Sequence, residues 1–136
     1  MENFDELLKK ANKGDPNAQC EIGKIYNNQG SYDKAIKYFK MAIDNGNMNA
    51  WYPLGCLHMN RKYEQNYSEA IKCLQVVSED EDNVNKVDAQ YFLGKLYLEK
   101  LNNKEEAIKW FKKAAEQKHG SAIKILEKLE KKEDIN

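Results

Sequence analysis

The 136-residue sequence predicts an all-α fold, an α-solenoid of stacked helix hairpins, and three observations carry that prediction. Only two prolines and seven glycines occur beside 32% charged and 41% hydrophobic residues, a balance that favours solvated helices over long irregular stretches. A short pattern of alanine, glycine and a ring recurs along the chain. A second pattern of small, large and small residues follows each of its first three copies. The length suffices for a hydrophobic core without metal or disulfide staples.

The first pattern reads Ala18, Ile22, Gly23, Tyr26; then Ala50, Leu54, Gly55, His58; then Ala89, Leu93, Gly94, Tyr97. A fourth copy keeps Ala122, Leu126 and Leu129 and loses the glycine. The starting alanines are offset by 32, 39 and 33 residues. The second pattern reads Ala35, Phe39, Ala42; Ala70, Leu74, Val77; and Ala107, Phe111, Ala114. Spacing of i, i+4 and i+7 marks one face of an α-helix. Small residues on one helix then leave room for large ones on its neighbour. A glycine inside a helix costs about 1 kcal/mol in propensity, so its fixed phase predicts close contact between helices at that point.

In chain order, helices are expected at 2–13, 17–28, 32–45, 48–60, 67–79, 86–100, 104–118 and 121–132. The first, with Phe4, Leu8 and Ala11, has the spacing of a second helix lacking its first. Gly14-Asp15-Pro16 stops it and starts the next. Gly30-Ser31, Gly46-Asn47 and Gly120-Ser121 punctuate in the same way, and Ser31 and Ser68 are expected as caps of second helices. The middle hairpin is irregular: its turn, Arg61 to Asn66, is longer than the first, and Ser78-Glu79-Asp80-Glu81-Asp82-Asn83 forms an acidic connector. Both are expected to be solvated loops. The last helix looks like a first helix lacking its second. The expected organisation is one domain over residues 1–136, with repeats at about 17–47, 49–82 and 88–120 and capping helices at about 2–13 and 121–132.

Charge narrows the function. Twenty-two basic residues balance twenty-two acidic ones. Residues 100–136 hold ten lysines against seven acids, and 60–99 hold five basic residues against eight acids. So mild an imbalance argues against nucleic acid as the ligand, because phosphate neutralisation needs a basic face. No stretch is apolar for long enough to span a bilayer or serve as a leader, so a membrane role is not expected. Cys20, Cys56 and Cys73 are an odd set without a close pair, which points to a reducing, cytoplasmic compartment.

No phosphate loop, HExxH or CxxC is present. His58 falls at a packing position and His119 in a turn, neither beside a visible nucleophile or base. Cys20, Cys56 and one histidine make an incomplete zinc set. Neither an enzyme nor a cofactor or metal is expected. Glu105 and Glu106 sit near lysines three or four residues away, in the manner of helix-supporting ion pairs.

These residues resemble Sel1-like repeats, the longer relatives of the tetratricopeptide repeat. The A-x-x-x-L-G-x-x-Y opening of that family matches Ala18/Ile22/Gly23/Tyr26 and Ala89/Leu93/Gly94/Tyr97, and Ala50/Leu54/Gly55 with His58 in place of tyrosine. Its closing K-A-x-x-W-x-x-K-A-A-E-x-G is nearly intact from Glu106 to Glu116, with Trp110 and Lys113 in place and Lys118 where the glycine is expected. The first repeat, twelve residues from Gly23 to Ala35, is closer to a tetratricopeptide repeat. The resemblance covers residues 3–130. It implies a right-handed superhelix of about three hairpins and two caps, roughly eight helices, with first helices lining a concave side used by bacterial adaptors and scaffolds.

By the same resemblance the concave positions are Cys20, Lys24, Asn27 and Asn28 in the first repeat; Tyr52, Cys56, Met59 and Asn60 in the second; and Tyr91, Lys95, Leu98 and Glu99 in the third. Tyr52 and Tyr91 are the expected anchors, since aromatics dominate interface energetics; packing between repeats is the competing role for both. Arg61 is the only arginine and Cys20 stands where a carboxylate-clamp lysine belongs, so a chaperone co-factor role is not implied. The expected function is a monomeric protein-interaction module that receives a partner protein or peptide segment. Its alternatives are an immunity protein neutralising a toxin encoded nearby and, more remotely, an enzyme with an unrecognised site.

Overall fold

The computed structural model describes residues 2–60, 62–63 and 65–135, with side chains through Lys131. Arg61, read above as a turn residue, lies outside them. The described residues form eight α-helices and contain no strand. These are α1 (Phe4–Asn12), α2 (Pro16–Asn28), α3 (Tyr32–Asp44), α4 (Trp51–His58), α5 (Tyr67–Glu79), α6 (Lys86–Glu99), α7 (Lys104–Glu116) and α8 (Gly120–Ile135). The helix expected at 48–60 divides into a 3₁₀ turn, Met48–Ala50, and α4. Asn47 starts that turn by accepting from Asn49 N at 3.0 Å, and Pro53 falls in the first turn of α4, where a missing N–H does no harm.

Helix ends follow local chemistry. Asn3 caps α1 by accepting from Glu6 N, and Asp15 caps α2 by accepting from Asn17 N and Ala18 N. Four helices end alike: Asp15 N donates to Lys10 O, Ser31 N to Tyr26 O, Asn47 N to Ala42 O and His119 N to Ala114 O, each at 2.8–3.1 Å. This closure needs a left-handed residue just before the donor. Gly14, Gly30 and Gly46 fill that place in three cases and Lys118, at φ 65°, in the fourth. Three caps differ from expectation. Ser31 makes no capping bond; Asn66, not Ser68, accepts from Glu69 N; and His119, not Ser121, accepts from Ala122 N.

The chain divides into two compact units, Met1–Cys73 and Leu74–Asn136. In the first, α2 and α3 form a hairpin with α1 packed on α2. Gly23 takes the ring of Phe39, and a β-carbon on it would lie 2.7 Å from that ring. Phe39, Ala35, Ala42, Leu54, Leu57 and Cys20 are all buried there. Gln19, also buried, ties three elements together: its Nε2 donates to Ala11 O and its Oε1 accepts from Asn45 Nδ2. The long turn after α4 is pinned rather than loose. Tyr63 packs its ring, tilted, against Tyr32 at 5.3 Å and donates to Asp33 Oδ1 at 2.5 Å.

In the second unit, α6 and α7 repeat the hairpin, with Phe111 over Gly94, and α8 packs on α7. The acidic connector is a structured turn in which Asp80 accepts from Asp82 N, Asn83 accepts from Asn85 N and Glu81 pairs with Lys86 at 2.6 Å. On α8, the place equivalent to Gly94 is Glu127, exposed to solvent. No second-helix ring can seat there as Phe111 seats on Gly94.

Candidate functional site

In the first unit, α2 presents Lys24 and Asn28 to solvent, with Lys24 Nζ 3.5 Å from Glu21 Oε1. Asn27, between them, is half-buried, and its Oδ1 is buried without a donor among the described residues. A buried acceptor left unpaired costs free energy until a donor reaches it. Cys20 is 3% exposed in the core of this unit, so it contributes packing and no surface. On and after α4, Tyr52, Cys56, Met59 and Asn60 are all half-buried. Asn60 is committed to its turn, accepting from Lys62 N at 2.9 Å, and Met59 O accepts from Gln65 Nε2.

Tyr91 in the second unit is half-buried inside a cluster. It stacks on His119 at 4.6 Å and meets the rings of Phe92 and Phe111 at 5.4 and 6.1 Å. Its remaining face lies under Lys95, whose Nζ is 5.8 Å from the ring centroid and 3.7 Å from Glu99 Oε1. Packing thus accounts for most of this ring. Neither tyrosine is sealed inside. Leu98 faces a groove of about 370 Å³ between α6 and α8, shared with Ile125, Leu129, Lys128 and Lys131.

The histidines do structural work. His119 Nδ1 accepts from Ala122 N at 3.2 Å, so the proton sits on Nε2, which donates to Asp88 Oδ1 at 3.1 Å. His58 is 7% exposed beside a cavity of about 210 Å³ lined by Tyr63, Gln65 and Asn66, and neither ring nitrogen has a partner among the described residues. Burial lowers its pKa below the ordinary histidine value, more than Glu69 raises it. Burial raises the Cys20 thiol and pushes Cys73 up to about 12, so both stay protonated and unreactive as folded. Among the described residues, no three His, Cys, Asp or Glu side chains are grouped to hold a metal. No helix among them is long and apolar enough to cross a membrane.

The sequence reading missed Ile125, Lys128, Leu129 and Lys131 as surface residues. Leu129 was read only as an apolar position kept by the last helix. The one available signal was Lys128 falling one place after the glycine-equivalent Glu127, where Lys95 stands in the preceding repeat.

Paired helices in which a ring of the second seats on a glycine of the first define a helical-hairpin repeat protein. Comparison with known families makes the class particular: the Sel1 repeat matches residues 52–76 and 87–119, and the tetratricopeptide repeat matches residues 16–45. The chain is a Sel1-like and tetratricopeptide-like repeat protein. Two solved structures share the fold. One is a protective antigen of uropathogenic Escherichia coli strains, 24% identical with a TM-score of 0.72 over 90% of this chain. This chain spans 27% of that protein. The other is a Sel1 repeat protein from Oxalobacter formigenes, 26% identical with a TM-score of 0.60, covering 90% of this chain and 96% of that one. No curated protein matches the sequence. Repeats of this kind are generally protein–protein interaction scaffolds.

Proposed function

We propose that the protein is an interaction module that binds one partner protein through the first-helix positions of its repeats, acting as an adaptor. Lys24 and Asn28 carry this reading: a cationic and an amide side chain one turn apart on α2, both exposed, with the half-buried Asn27 between them. A partner would dock on helices that are already formed, so little ordering cost opposes binding. Tyr52 in the same unit, and Lys95 and Leu98 in the other, add half-buried side chains of the kind that anchor interfaces. Three free thiols, two of them buried, fit a reducing cytoplasm.

Affinity capture from the native cell followed by mass spectrometry tests the proposal. The control is a Lys24→Glu, Asn28→Lys variant, whose exposed sites leave folding intact. A protein captured by the wild type and lost by the variant supports the reading. Equal capture of every protein by both would refute it.

A further inference from the structure

We propose that the groove between α6 and α8 docks an acidic amphipathic helix of a partner protein, an apolar side chain of that helix seating on Leu98, Ile125 and Leu129 and its carboxylates pairing with Lys128 and Lys131. The inference rests on the interaction role proposed above and names the chemistry of what the second unit takes.

The floor of the groove is aliphatic. Leu98 and Ile125 are half-buried against the α7–α8 core, and Leu129 is 9% exposed. At about 370 Å³ the groove lies at the small end of the ~300–1,000 Å³ range of ligand pockets, and no hydrogen-bonding group is among its aliphatic floor residues to orient a small molecule. It suits one or two apolar side chains carried on a larger body.

The rim is cationic. Lys128 and Lys131 are exposed, and neither pairs with a carboxylate among the described residues. Three other lysines of this unit are matched, Lys86 with Glu81, Lys95 with Glu99 and Lys109 with Glu106, and none of the three lines the groove. Standing three apart on α8, Lys128 and Lys131 project from one face. Two ammonium groups above an apolar floor, unmatched among the described residues, complement an apolar residue flanked by Asp or Glu.

The partner is helical because the described residues offer no strand edge to an extended peptide, whereas a groove between helices takes anchors at i, i+4 and i+7. Single-stranded nucleic acid would want rings for stacking, and the groove has none. End-on stacking of a second copy is disfavoured by Glu127, which occupies the ring-accepting place of α8.

The test is an NMR titration of the ¹⁵N-labelled full chain with a stapled helical peptide carrying leucines at i, i+4 and i+7 and glutamates beside them. Controls are the same peptide with lysines for glutamates, the same peptide with alanines for leucines, and an oligothymidine. Shifts centred on Leu98, Ile125 and Leu129 are expected with the acidic peptide. Binding weakens by about tenfold in the Lys128→Glu, Lys131→Glu variant, whose unperturbed spectrum verifies its fold. Equal binding of the lysine peptide, shifts centred elsewhere, tighter binding of the oligonucleotide, or concentration-dependent shifts at the groove without peptide would each overturn the proposal, the last in favour of a second copy. Capture sensitive to Lys24 and Asn28 but blind to the groove variant would defeat this inference and leave the interaction role standing.

Discussion

The ring of Phe111 occupies the space a side chain on Gly94 would need: a β-carbon there would lie 2.6 Å from Cε1 and 2.7 Å from Cδ1. Real side chains essentially never come so close, so Gly94→Ala must displace a fully buried ring. Overpacking costs about 1–3 kcal/mol, against about 1 kcal/mol recovered in helix propensity. We expect a net loss of up to about 2 kcal/mol, read as a lower urea midpoint by circular dichroism. Phe111→Leu should lower stability by itself yet make Gly94→Ala less costly, a favourable coupling in the double-mutant cycle. A Gly94→Ala variant more stable than the wild type would show that the glycine serves no close approach.

Lys118 stands where three other helix ends place glycine, and it adopts the same left-handed backbone at φ 65°. A side chain in that region costs about 1–2 kcal/mol. Part of the relief on substitution is lost, because glycine has more freedom to give up on folding. Lys118→Gly should therefore stabilise the protein by about 0.5–1 kcal/mol, a rise of a few degrees in Tm for a chain of this size. Lys118→Ala keeps the strain and should change stability little. A gain from alanine as large as that from glycine would assign the effect to the lost charge.

His119 ties α6 to α8 through three contacts: its ring stacks on Tyr91 of α6, its Nε2 donates to Asp88 at the start of α6, and its Nδ1 caps α8. Truncation to alanine removes all three contacts, with an expected loss of about 1–2 kcal/mol, the cap supplying about half. Asparagine keeps a capping oxygen without the ring, so His119→Asn should fall between wild type and alanine in urea unfolding. Tyr91→Ala should also destabilise, which makes it a poor probe of binding; the exposed Lys24 and Asn28 report on binding more cleanly.

The helices were legible because two periodicities, alanine to glycine and small to large to small, repeat in register, and each must be met for a ring to seat on a glycine. Boundaries were less so. Ser68 and Ser121 are good caps by type, yet Asn66 and His119 stand one residue outside the helix in each case and take the bond. The site was legible only as positions. Tyr91 has the spacing of an exposed first-helix ring, but its burial depends on His119 and Phe111 arriving from other elements, which no local pattern encodes. Likewise Ile125 and Leu129 become a groove only once Leu98 lies across from them.

His58 fills the place that tyrosine holds in two other repeats, and burial, with no partner for either nitrogen among the described residues, favours the neutral imidazole. Glu69 opposes this depression of the pKa and Lys40 reinforces it, both weaker than desolvation. The folded pKa thus lies below the unfolded value of about 6.5, and in the interval between them the unfolded chain binds the extra proton. Stability from this residue is complete above about pH 6.5 and declines as pH falls below it, with a slope of at most about 1.4 kcal/mol per pH unit for one proton. His58→Leu removes the titration and two unpaired polar atoms while keeping an apolar body in the cavity wall. At pH 7.5 it should match or exceed the wild type. As the buffer is taken from pH 7 toward pH 5, the gap between the two urea midpoints should widen in favour of leucine. Parallel curves across that interval would mean that the imidazole finds a proton acceptor in the folded protein.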